Sequence, residues 1–292
     1  MATLREIRRR IRSVQGVAKI TKAMELVAAA KMRRAQERLL ASRPYAEKMR
    51  EVLADLAARR REEEAVHPLM AVRPAVNRVG IVHITADRGL CGAFNANVNR
   101  RTAQFILEQS VPVSLVVVGR KGRDFMVRAG QPIRAEFTQL GDYPSLVDIR
   151  PIARVVMDDY TSGYVAKVVV IFNQFVSTMV QRPVVRQLLP VEPPPADAYP
   201  RHPEYIYEPD PETVLRELLP RYVEIQIYQA VLESIGGEYS ARMVAMRNAT
   251  DNALEMVNSL ILIRNKLRQE IITKELLEIV AGAAALGGGP EA

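Results

Sequence analysis

From Leu4 to Leu56 apolar residues recur on alternating spacings of three and four, through Ile7, Ile11, Val14, Ala18, Ala28, Met32, Ala35, Leu39, Ala46, Met49 and Leu53. The polar seam positions are Thr21, Glu25 and Ser42; only Glu25 is charged, and neither glycine nor proline falls on the seam. A heptad pattern kept this long predicts a coiled-coil helix, because a globular helix drifts off a seven-residue repeat. Pro44, beside the seam, is expected to kink or locally strain it.

The last third repeats the pattern from Leu218 through Tyr222, Ile225, Leu232, Tyr239, Met246, Val257 and Leu267 to Ile271, with Gly236-Gly237 as its soft spot. At about 1.5 Å per residue the two helices would run roughly 80 Å and 90 Å. The simplest partner for each seam is the other helix, antiparallel because a folded insert joins them. That insert alternates short β-branched runs at 79–85, 113–118 and 168–172 with helical stretches near 95–110, 120–129 and 145–160; 184–189 offers a further strand. The fold class is therefore α/β: a long antiparallel coiled coil of N- and C-terminal helices around a Rossmann-like parallel domain. The expected boundaries are 1–61 for the first helix, 76–190 for the α/β domain, 191–211 for a proline-rich linker, 212–286 for the second helix and 287–292 for a flexible tail.

Charge divides unevenly. Residues 1–61 hold 17 basic and 6 acidic side chains, or +11, whereas the whole 292-residue chain is +8. An acidic partner is thus met at the N-terminal helix, where Arg8-Arg9-Arg10 and Arg33-Arg34 stand. A nucleic-acid reader usually adds stacking aromatics, but this stretch has only Tyr45 and the chain has no tryptophan. An acidic protein surface fits better. An Arg-rich, acid-poor start also reads as an organellar presequence, yet the apolar repeat continues past it without a cleavage boundary. One cysteine and three scattered histidines make zinc chemistry improbable, and no run of 18 apolar residues spans a bilayer.

Gly89 and Gly92, in the run from Ala86 to Phe94, follow a strand and precede a helix, a place where a loop can cradle phosphate. They make GxxG and not GxGxxG, and no GxxxxGK[ST] occurs, so a tight turn is the better reading and no nucleotide cofactor is expected.

Six segments carry a resemblance. VAKITKAMELVAAAKMRRAQ at 17–36, TADRGLCGAFNANV at 85–98, GDYPS at 141–145, YEPDP at 207–211, ARMVAMRNATDNA at 241–253 and ITKELLEIVAGAAA at 272–285 are similar, in the same order, to the γ subunit of F-type ATP synthases. The resemblance implies a non-catalytic rotor shaft inside a ring of three α and three β subunits, with the α/β insert standing on the c-ring beside ε. It places contacts with the α/β ring at Met24, Lys31, Arg33, Arg34, Asp87, Arg88, Cys91, Arg268, Gln269, Thr273 and Glu275. Contacts with the c-ring and ε fall at Tyr205, Tyr207 and Glu208. It implies no catalytic residue, metal or cofactor here, and no nucleic acid among the partners. The expected location is a peripheral complex on the cytoplasmic face of the bacterial plasma membrane, since Met1 stands at the family's mature start. The redox dithiol of the chloroplast type has no counterpart, because Cys91 is the only cysteine. Two rival readings are a basic coiled-coil scaffold that binds nucleic acid and a dinucleotide-dependent enzyme; neither accounts for the C-terminal signature.

Overall fold

The computed structural model describes residues 3–59, 66–193 and 205–287. Pro194, Pro195, Pro200 and Pro203 of the expected linker, the end of the first segment at 60–61 and the tail at 288–292 lie outside the described residues. The elements are α1 (Leu4–Arg59), β1 (Val79–Ile84), α2 (Phe94–Glu108), β2 (Val113–Val118), α3 (Arg120–Arg128), β3 (Ile133–Phe137), α4 (Leu146–Thr161), β4 (Lys167–Phe175), β5 (Gln181–Leu189) and α5 (Pro211–Gly287). They form two compact units, one of residues 1–26 with 245–292 and one of residues 27–244. The long helices α1 and α5 belong to both.

In the first unit the start of α1 and the end of α5 run antiparallel. Ile7 and Ile11 bury themselves against Val257, with Val14, Leu260, Ile261 and Leu267 packed around them. Burying each such side chain stabilises the pair by roughly 1.5–3 kcal/mol. The charged seam residue Glu25 is accommodated by partners: Lys22 Nζ lies 3.0 Å and Arg247 Nε 4.0 Å from its carboxylate. From Arg268 to Ala283 every side chain is exposed.

In the second unit five strands form one sheet in the order β3-β2-β1-β4-β5. β1 to β4 are parallel, and β1, β2 and the middle of β4 have the β-branched, buried runs that such strands need. The expected all-parallel sheet needs correction at its edge, because β5 pairs antiparallel with β4. Pro183 is tolerated in β5 because an edge strand leaves one row of N–H groups unpaired anyway. β3 is an additional strand. One face of the sheet (Val82, Val116, Val170, Phe172) packs on α4 and on Leu53, Leu219 and Val223 of the long helices. The other (Ile81, Leu115, Val117, Ile171) packs on Val98 of α2 and Met126 of α3.

Pro44 does not end α1, and Pro220 lies inside α5, both within helices that continue on either side. Pro211 opens α5, where its missing N–H would have no helical partner, and Asp210 caps it by accepting from Thr213 N at 2.8 Å.

Candidate functional site

The carboxyl ends of β1, β2 and β3 meet two loops, 86–93 and 138–145. Thr85 is the hub: its hydroxyl accepts from Gly122 N at 2.8 Å and bonds to the carbonyls of Val118 and Gly119. Gly119 has φ +97, and a Cβ there would stand 2.2 Å from the Thr85 carbonyl oxygen. Only glycine fits this crossing. Asp87 then occupies the place a phosphate would take at the start of α3, its two carboxylate oxygens accepting from Arg120 N and Gln139 N, each at 2.9 Å. The glycine run is a turn closed by its own acid.

Asp87 is thereby half-buried and engaged within the chain, while Arg88 and Leu90 carry the exposed surface of the first loop. Cys91, expected among the contacts, is turned inward within this chain. It is 1% exposed, packed with Ala86 and Phe94, and receives Asn95 Nδ2 at 3.2 Å. Gly92, at φ +57, turns the chain into α2 and carries the preceding side chain inward. Burial pushes the thiol pKa up.

Lys31 also has an internal role. Its ammonium lies 2.5 Å from Asp142 Oδ2 and 5.4 Å from the Tyr239 ring centroid, while the Tyr239 hydroxyl donates to Asp142 Oδ1. Partial burial raises the pKa of Asp142, but the bonds from Lys31 and Tyr239 outweigh it and hold the carboxyl below its ordinary value. Burial, then the bond to Asp142, pushes the tyrosine hydroxyl far up. One turn away, Arg242 pairs with Glu238 at 2.7 Å and reaches the Gly89 carbonyl at 3.2 Å, tying the first loop to α5. Asp142, Glu238 and Tyr239 line a cleft of about 340 Å³ with Asp87, Arg88, Arg120 and Gln139, and Asp142 and Glu238 are each paired with a cation of this chain. Arg34 bonds Tyr143 Oη at 3.4 Å, and Arg33 is exposed on the same helix.

At the other expected surface, the Tyr205 and Tyr207 hydroxyls donate to Glu51 and Asp55 of α1, each at 2.6 Å. The segment alternates, so these two rings face α1 while Ile206, 88% exposed, and Glu208 face away. Tyr205 and Tyr207 therefore present the segment, and Ile206 is the exposed apolar residue the sequence reading did not single out. In the first unit Met24 is half-buried, whereas Arg268, Gln269, Thr273 and Glu275 are exposed. Among the described residues no group of acids, histidines or cysteines is placed to hold a metal ion, and no helix is long and apolar enough to cross a membrane.

The comparisons with known proteins decide the family. The family model described as ATP synthase matches residues 3–286. The chain is 59% identical to the ATP synthase gamma chain of Dehalococcoides mccartyi (strain CBDB1) over 98% of this chain and 100% of that one. The chain belongs to the ATP synthase gamma-chain family. It is also 53% identical to the gamma chain of Roseiflexus castenholzii, over 98% of this chain and 99% of that one. Among solved structures it is similar to a chain of the Tetrahymena thermophila mitochondrial ATP synthase central stalk and c-ring, with TM-score 0.58, 26% identity and coverage of 79% and 99%. A chain of the Euglena gracilis enzyme shares the fold at TM-score 0.68 and 20% identity, over 99% and 96%. Family membership across nearly the whole chain takes the place of the two rival readings, and makes this chain one subunit of the membrane-associated synthase. Sequence reasoning did not find the gamma-chain residues Asp142, Glu238, Tyr239 and Arg242 as a group. The signals were the GDYPS motif, a tyrosine on the α5 seam and Arg242 in the segment at 241–253.

Proposed function

We propose that this chain is the central rotor shaft of an F-type ATP synthase, coupling rotation of the c-ring to ATP synthesis or hydrolysis in a surrounding ring of three α and three β subunits. The chain carries torque and performs no chemistry. The observation that carries the reading is the end of α5. Ile272, Leu276, Leu277, Ile279 and Val280 are 47–68% exposed there among the described residues. An apolar helix end of this kind needs a surrounding surface.

Arg268, Gln269, Thr273 and Glu275 contact the β subunits, with Met24, Arg33, Arg34 and the exposed Arg88 on the other segments; Asp87 positions that loop. Tyr205 and Tyr207 hold the segment whose outward side, Ile206 and Glu208, meets the c-ring and ε. The basic α1 faces acidic protein surface, and the whole is peripheral to the cytoplasmic face of a bacterial plasma membrane. Mixing purified α and β subunits with this chain tests the reading. The chain alone should turn over no ATP, the assembled head should hydrolyse it, and Arg268→Ala/Gln269→Ala should slow rotation under load with helix content unchanged. Turnover by the highly purified chain, lost on changing one of its own residues, would overturn the non-catalytic assignment.

A further inference from the structure

In the second unit α1 and α5 meet on small residues. Ala28 and Ala35 are buried, and a Cβ added at Gly236 would sit 4.0 Å from the Ala35 Cβ. Met32, Ile235, Tyr239 and Met243 pack around that close approach. A polar node stands beside it. The Asp142 carboxylate accepts from both helices at once, from Lys31 of α1 at 2.5 Å and from the Tyr239 hydroxyl of α5. Two cations stand near the Tyr239 ring, Lys31 Nζ 5.4 Å and the Arg242 guanidinium 5.3 Å from its centroid. The next residue, Tyr143, takes Arg38 at 4.9 Å and Arg34 at 5.9 Å from its ring. Gly141, at φ +79, makes the turn that presents the two side chains.

Lys31 and Asp142 are 27% and 38% exposed, and an ion pair so open to solvent adds little to stability. Its geometry restrains more than its energy suggests. One carboxylate bonded to two helices stops either from turning or sliding against the other, or against the sheet, without a bond breaking. We infer that Tyr239, Asp142 and Lys31 form a positioning node that locks the angular register of α1 and α5 to the loop after β3. Torque on the helices then reaches the α/β sheet through the node as well as through the packed seam. The second step rests on the rotor reading above; the first does not.

Two measurements test the node. In the full-length chain, Tyr239→Phe keeps the ring and removes only the hydroxyl, and Asp142→Asn keeps the acceptor for Tyr239 but removes the charge. Each should speed amide exchange at 139–143 about tenfold with helix content unchanged. In the assembled complex, with the head fixed and a probe on the α/β domain, each should widen the variance of the probe's angle during a pause about twofold. Asp142→Glu should restore part of the stiffness, and unloaded ATP hydrolysis should hold in all three. Wild-type exchange and wild-type angular variance in Tyr239→Phe would overturn the node, even if Asp142→Asn proved too unstable to assemble. A wild-type complex that hydrolyses ATP without rotating would overturn the rotor reading, and the exchange result would still decide the node.

Discussion

Thr21 and Thr250 join their hydroxyls at 2.7 Å inside the helix pair, across 229 residues of sequence. Both occupy seam positions, and each also bonds a carbonyl of its own helix, Thr21 to Val17 and Ala18 and Thr250 to Met246. A polar pair on an otherwise apolar seam specifies register at some expense of stability. Thr21→Val alone should therefore cost about 1 kcal/mol, because it strips a partner from a buried hydroxyl. Thr21→Val/Thr250→Val should recover most of that loss, which denaturation followed by helical circular dichroism can read. Strictly additive losses would show that the two hydroxyls do not interact.

His83 supplies a pH dependence. It is fully buried in β1, its Nε2 donating to Asn99 Oδ1 at 2.9 Å and its Nδ1 facing Thr102 Oγ1 at 2.9 Å. Burial lowers its pKa from 6.5 to about 4, so the folded chain holds the imidazole neutral. The unfolded chain binds the proton first, so this stability is complete above pH 6.5 and falls as pH drops towards 4. The loss should reach about 3 kcal/mol, and His83→Gln should lack that component. An imidazole that NMR finds protonated at pH 5.5 in the folded chain would contradict the burial argument.

Cys91 should behave as a core residue. A thiol reagent at neutral pH should label the native chain only as fast as the domain opens, and label it at once in denaturant. Leu90, 65% exposed on the same loop, gives the contrast: Leu90→Cys in a Cys91→Ala background should react without opening. Rapid stoichiometric labelling of native Cys91 would mean that the loop does not hold it inward.

The glycines separate two kinds of strain. Gly130 has φ +66 with nothing within 4 Å of an added Cβ, so Gly130→Ala should cost about 1 kcal/mol from backbone conformation alone. At Gly122 an added Cβ would stand 2.8 Å from both the His83 ring and Thr85 Oγ1, and Gly122→Ala should cost more, about 1–3 kcal/mol, by lifting α3 off β1. Equal losses at the two sites would show that α3 yields freely.

The coiled-coil seam was legible because burial follows it closely: Ile7, Ile11, Ala18, Ala28, Met32, Ala35, Ala46, Met49, Leu53 and Leu56 are all buried. The parallel core strands were legible for the same reason, being β-branched and buried over most of their length. β3 was not, because Arg134 and Glu136 alternate with half-buried residues on an edge and leave too short an apolar signal. The direction of β5 was not either, since strand polarity depends on the turn at 176–180 and not on the strand's own residues. In the candidate site, the types of residue at 87–91 pointed to a loop, but which side chains face outward is set by the positive φ of Leu90 and Gly92. Asp142 and Tyr239 meet across 97 residues, and no local pattern announces such a pair.

Rotation tests the central claim most directly. A probe placed on Leu107, which is 85% exposed on α2, should turn continuously in one direction when the α/β head is fixed to a surface and ATP is added. It should stop when ATP is withdrawn. A head that hydrolyses ATP at its full steady rate while the probe on this chain stays still would contradict the shaft assignment.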